Sequence, residues 1–245
     1  MLSSLNQYKN TFKYYTELRV QENRNFRVGL LNGNLITNDQ SVESGVSSRV
    51  FKDGDWGFSS NAEINQNSID RVIKSSSDNA SFLNSRNTNK CGILLPEDIF
   101  NYELDLTTQK NKNPNSFWIS FIKDIDNYIV NKHKQISSRK IFISNLDMEK
   151  NLLTSSGSES YSMTPRSLLY IVLTIDKDGE PVELMDVFGG LGQLEDNFEN
   201  VENFYSKIDE LVEKLVQKSL GVHAKAGYHD VVLDADLAGI LAHEA

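Results

Sequence analysis

Three dipeptides constrain the fold of this 245-residue chain more than anything else in it: Asn32-Gly33, Asp53-Gly54 and Asp178-Gly179. A two-residue hairpin loop needs positive φ at both central positions, which Asn or Asp followed by Gly accepts most readily. Each pair sits between runs rich in β-branched, aromatic and aliphatic residues. The first joins Phe26–Leu31 to Leu35–Thr37, the second Ser47–Phe51 to Trp56–Phe58, and the third Leu168–Ile175 to Val182–Phe188. Strands tied this tightly are antiparallel, because parallel neighbours need a long crossover.

Helical spacing predicts the other elements. Residues 1–20 read as a helix through Leu5, Tyr8, Phe12 and Tyr15, and Asn65–Phe82 as a second through Ile69, Val72 and Ile73. A third spans Phe117–Lys134, with Trp118, Phe121, Ile122, Ile125, Ile129 and Val130 on one side. Glu199–Ser219 carries the clearest apolar stripe, from Val201 and Phe204 through Ile208, Leu211, Val212, Leu215 and Val216. Lys140–Ser144 adds a strand. Between residues 84 and 115 the chain turns to Asn, Lys, Thr and Ser with Pro96 and Pro114, a linker interrupted by a short apolar segment. The expected class is α+β: two α/β modules with antiparallel meanders and long amphipathic helices, followed by one more strand and helix. The boundaries fall at 1–100, 101–222 and 223–245.

Composition removes several functions. A net charge of −9 with scattered Lys and Arg lacks the basic stripe that a phosphate backbone requires, so nucleic acid is not the expected partner. No apolar run approaches the roughly 20 residues of a membrane span. The N-terminus has no apolar signal core, and the single cysteine, Cys91, cannot form an internal disulfide. Both suit a cytoplasmic protein. Cys91 reads as a small half-buried hydrophobe before Ile93, Leu94 and Leu95.

The last residues carry the strongest chemical signal. Residues 229–245 read as a short apolar strand, a turn and a helix that is capped by Asp234 or Asp236, packs through Leu237, Ile240 and Leu241, and bears His243-Glu244. On a helix, such a pair can set a zinc-ligating imidazole beside a carboxylate that deprotonates the attacking water. The bland alternative is a surface helix end. His133, in a polar helix end, and His223 and His229, in a loop, read as solvated. Gly189, Gly190 and Gly192 read as a tight turn, since the phosphate-binding patterns are not matched.

Four stretches together resemble the TldD/PmbA family, long called modulators of DNA gyrase. Ser48–Ser60 is similar to the family's early R-V-x-x-x-G-x-W-G-F hairpin, and Ser155–Glu159 to a small-residue strand end. Phe188–Gly192 is similar to its middle-domain Gly-Gly turn, and Val232–Ala245 to the approach to its H-E-x-x-x-H motif. The resemblance implies a cytoplasmic zinc metallopeptidase subunit acting on peptides or unfolded small proteins. His243 would be a zinc ligand and Glu244 the catalytic base. It further implies a PmbA/TldE-type partner subunit or a homo-oligomer. The chain would cover the N-terminal part only, with residues 223–245 the truncated start of a C-terminal metallopeptidase domain and the second histidine three residues past Ala245. A non-catalytic scaffold or interaction module is the alternative. On an ideal helix, histidines five apart stand roughly 140° around the axis, so a complete motif would need a bulge or a helix end near the glutamate.

Overall fold

The computed structural model describes residues 5–88, 92–94 and 99–245. All three hairpin turns close with the backbone their dipeptides permit: φ is 49° and 79° at Asn32-Gly33, 47° and 100° at Asp53-Gly54, and 55° and 89° at Asp178-Gly179. They connect β1 (Tyr15–Leu31) to β2 (Asn34–Lys52), β2 to β3 (Asp55–Asn61), and β6 (Glu159–Lys177) to β7 (Glu180–Leu191). The remaining elements are α1 (Gln66–Arg86), β4 (Asn101–Asp105), α2 (Asn115–Lys132), β5 (Ser138–Thr154), α3 (Leu194–Asn197), α4 (Tyr205–Ser219) and α5 (Ala235–Glu244).

The seven strands form one sheet in the order β3-β2-β1-β5-β6-β4, with β7 also on β6. The halves meet where β1 runs antiparallel to β5, from Glu17 opposite Thr154 to Leu31 opposite Lys140. The start of β6 holds β4 in parallel, Asn101 opposite Glu159, and Arg166–Lys177 pairs with β7.

Length explains how one sheet serves two cores. A 17-residue strand spans roughly 55 Å, enough to carry a separate apolar patch at each end. On β1 the patches are Leu18 with Val20, and Val28 with Leu30. All four are even-numbered and so share a face. The first patch joins Val46 and Leu153 beneath Ile69, Val72 and Ile73 of α1. The second joins Ile141, Ile143, Leu169 and Ile171 beneath α2 and α4, where Trp118, Ile125, Ile208 and Leu211 are buried. The helical layer therefore lies along one face of the sheet.

Several expectations need correction. Of the expected helix 1–20, the described residues 5–20 form no α-helix. A 3-10 turn, Asn6–Thr11, buries Tyr8, and from Tyr15 onward the chain is strand. The i, i+3 spacing of Leu5 and Tyr8 fits that single turn, whereas Thr16, Leu18 and Val20 are buried in alternation, the period of a strand. The β1–β2 hairpin is far longer than its apolar ends suggest, because its middle is polar on both faces. The linker contains β4. The expected helix 199–219 is a 3-10 turn, Val201–Phe204, leading into α4. Residues 229–233 form no strand, although α5 follows as expected. Cys91 lies outside the described residues.

Candidate functional site

Asp234 caps α5 by accepting a hydrogen bond from the Leu237 N–H at 2.8 Å. Asp236 in the first turn and His243 in the last both suit the helix dipole. No residue of α5 is buried, and Leu237, Ile240 and Leu241 are 49%, 59% and 57% exposed. His243 and Glu244 are consecutive, so they project about 100° apart around the axis. Among the described residues, no three His, Cys, Asp or Glu side chains converge where a metal could sit. A catalytic zinc normally takes three protein ligands. The residues present do not fit one.

The other histidines are placed elsewhere. His229 Nε2 lies 2.9 Å from the Lys225 carbonyl in an exposed loop. His133 is not simply solvated: it ends α2, and its Nε2 lies 2.7 Å from Asp209 Oδ1 on α4. Gly189 and Gly190 are the last part of β7. A Cβ at Gly189 would stand 2.3 Å from the Ser167 carbonyl oxygen, so the requirement there is close strand approach, not a phosphate cradle.

Sequence reasoning missed a polar saddle between the two cores. Where the apolar patches of β1 and β5 give way, the same sheet face presents Glu22 and Arg24 opposite Glu149 and Asp147. Arg24 bridges Glu22 and Glu149 at 2.6 and 2.7 Å. Burial works against the Arg24 guanidinium, but its bonds to both carboxylates outweigh this and hold its pKa above the ordinary value. The Tyr161 hydroxyl donates to Glu149 at 3.3 Å. Burial first, and then the charges of Glu149 and Asp105, push its pKa up.

Alongside, Asp147 is 6% exposed and accepts hydrogen bonds from Asn145 and Gln193, both at 2.8 Å. Gln193 caps α3, which brings in Glu195, 7% exposed and bonded by the Asn113 N–H at 2.8 Å. Among the described residues, neither Asp147 nor Glu195 has an ion-pair partner. These groups line a cleft of about 280 Å³, with Phe26 and Trp118 as its apolar wall. The available sequence signal was Asn145-x-Asp147-x-Glu149-x-Asn151: four polar residues in a row on the inward register of β5, between Ile143 and Leu153.

Comparison with known proteins adds the following. The domain described as PmbA/TldA metallopeptidase domain 1 matches residues 16–80, from the start of β1 to the middle of α1. No curated protein matches the chain in sequence. Among solved structures, a Bacteroides thetaiotaomicron protein described as a modulator of DNA gyrase superposes with a TM-score of 0.66 at 16% identity. The match covers 89% of this chain and 51% of that one. A Thermotoga maritima protein described in the same way gives 0.64 at 15% identity, covering 85% and 46%. TldE from Thermococcus kodakarensis gives 0.58 at 13% identity, covering 87% and 46%. These likenesses establish the fold, and the chain spans about half the length of the structures it matches.

Proposed function

We propose that this chain, whose residues 16–80 match the first domain of the PmbA/TldA metallopeptidases, supplies the peptide-holding part of a TldD-like metallopeptidase subunit. The substrates in this reading are peptides or unfolded small proteins in the cytoplasm. One observation in the fold supports it. β2 pairs with β3 only over Val46–Lys52, so Asn34–Gly45 has β1 on one side and no strand on the other among the described residues. An extended chain can add to such an edge through backbone hydrogen bonds, which give affinity without demanding a sequence. Asp39 and Glu43 on that segment discourage the edge from pairing with another copy.

Zinc chemistry belongs to this reading only as a family trait. The bound metal would supply an acidified water and a polarised carbonyl. His243 as ligand and Glu244 as base are carried over from the motif, and the ligand set they would need is not met by the described residues. Among the described residues, no helix is long and apolar enough to cross a membrane. The exposed apolar residues of α5 favour the second reading, an interaction module that docks a PmbA/TldE-type partner or another copy.

The test is binding of a fluorescent unstructured peptide, followed by anisotropy, against the same peptide N-methylated at alternate backbone positions. Edge addition predicts roughly tenfold weaker binding or more for the methylated form, since several backbone hydrogen bonds are lost. Equal binding of the two would remove the reading. In parallel, an equimolar chelating indicator should take zinc from the purified chain. Chelator-sensitive hydrolysis that survives Glu244→Gln would assign the chemistry to other residues.

A further inference from the structure

The cleft between the two cores contains an imbalance that neither reading above uses. Two completely buried amide oxygens, Asn115 Oδ1 and Asn145 Oδ1, have no hydrogen-bond donor among the described residues, and both residues line the cleft. They come from different elements, the first residue of α2 and the middle of β5. Neither amide is simply turned the wrong way. Asn145 uses its Nδ2 on Asp147 Oδ1 at 2.8 Å, and Asn115 uses its Nδ2 on Asn38 Oδ1 at 2.8 Å. Turning Asn145 over would set its oxygen against the Asp147 carboxylate, and turning Asn115 over would set oxygen against oxygen unless the exposed Asn38 amide turned with it. A buried carbonyl without a donor costs about 1–3 kcal/mol, and two lining one cleft call for a shared cause.

Around them the lining carries two carboxylates, Asp147 and Glu195, and two cations, Lys112 and Arg24, the latter held by Glu22 and Glu149. Asp147 and Glu195 are both more than nine-tenths buried, and among the described residues neither has a cation within ion-pair distance. Lys112, also on the lining, is exposed and donates to neither amide oxygen. The cleft thus offers two amide oxygens and carboxylate oxygens, with Phe26 and Trp118 beside them.

We propose that this cleft binds a primary ammonium group on an alkyl stem, of the kind a lysine side chain or a peptide N-terminus presents. An ammonium carries three donors and no acceptor, matching the two orphan oxygens and one carboxylate. Its stem would lie against the aromatic wall, where a ring face adds cation–π attraction. A guanidinium suits the site less well, since its fork wants two parallel acceptors on one group. A bare metal ion would want about six or more oxygens. The inference does not rest on the peptidase reading.

The test uses blocked tripeptides and observes the side-chain amide resonances of Asn115 and Asn145. Acetyl-Ala-Lys-Ala-amide presents only a side-chain ammonium, and free-amine Ala-Ala-Ala-amide only an α-ammonium. Acetyl-Ala-norleucine-Ala-amide presents the same stem without charge. At least one ammonium peptide should shift both amides saturably, and whichever does so identifies the source. The norleucine peptide should bind at least tenfold more weakly, as should the ammonium peptide to Asp147→Asn, because a charged hydrogen bond is lost. Should Asp147→Asn not fold, Glu195→Gln removes charge from the same lining. Removing the rim cation in Lys112→Ala should leave affinity unchanged or raise it. No shift with either ammonium peptide would mean that the orphan oxygens are served by a buried water only, which overturns the proposal. So would equal binding of lysine and norleucine peptides.

Discussion

Two glycines show how differently the same residue type can be required. At Gly179 the backbone has φ of 89°, and a Cβ would meet nothing within 4 Å. Its need is conformational alone. At Gly57 a Cβ would stand 2.1 Å from the Ser76 carbonyl oxygen and 2.3 Å from the Ala80 nitrogen, both backbone atoms of α1. The glycine there lets helix and sheet touch, and Ala80 on the facing side is wholly buried. Gly179→Ala should therefore cost about 1 kcal/mol. Gly57→Ala should cost about 3 kcal/mol, because neither backbone can move without displacing the first core. Urea unfolding of both variants measures the difference, and comparable losses would contradict the contact assigned at Gly57. The turn glycine was legible from its Asp-Gly dipeptide. The contact glycine was not, since it depends on where α1 places Ser76 and Ala80, far along the chain from it.

Among the helices, α2 and α4 are tied by a polar clamp around Asp209. Its carboxylate receives the Tyr128 hydroxyl at 3.0 Å, Lys132 Nζ at 2.7 Å and His133 Nε2 at 2.7 Å. Tyr128 stacks on Tyr205 with centroids 3.8 Å apart and planes 1° from parallel. Burial alone would raise the Asp209 pKa, but the bonds from Lys132, His133 and Tyr128 outweigh it and hold the group below its ordinary value. A depressed carboxylate contributes stability that is complete above the unfolded pKa and is lost as pH falls through the folded one. Asp209→Asn should destabilise by about 1 kcal/mol at neutral pH. The gap between variant and parent should close as pH falls below the ordinary Asp value of about 4, measured by thermal unfolding through the acid range. A gap independent of pH would mean that the carboxylate's charge is irrelevant. Sequence periodicity found both helices and their buried stripes. It placed His133 in solvent because a stripe records which residues face the core, and the clamp lies along its edge, where Tyr128 and Tyr205 are only partly buried against that core. The same limit turned residues 1–20 into a helix: Leu5, Tyr8, Phe12 and Tyr15 keep helical spacing, yet only Leu5 and Tyr8 of the four are buried, and the alternation of Thr16, Leu18 and Val20 decides the element.

For the molecule as a whole, the sheet carries two cores and a polar saddle, and everything after α4 stands away from them. The hairpin dipeptides and apolar stripes made the α+β class and its antiparallel character legible. The saddle stayed hidden because it forms only when β1 and β5, more than a hundred residues apart, bring Arg24 opposite Asp147. Residues 220–245 are exposed throughout, including Val222 at 93% and Val232 at 97%. A ten-residue helix is marginal in water without a surface to bury its apolar side, and α5 buries none of its residues. Hydrogen exchange should therefore find residues 220–245 close to unprotected, while α4, with Ile208, Leu211 and Leu215 in the core, exchanges only with global unfolding. Replacing Leu237, Ile240 and Leu241 together by Ser should leave the melting temperature of residues 5–219 unchanged within about 1 °C, since those side chains belong to neither core. Protection of α5 approaching that of α4, or a clear fall in melting temperature on the triple substitution, would show that the tail packs on the sheet or on a second copy; adding a PmbA/TldE-type protein, the proposed partner, and repeating the exchange then measures whether the same residues become protected on association.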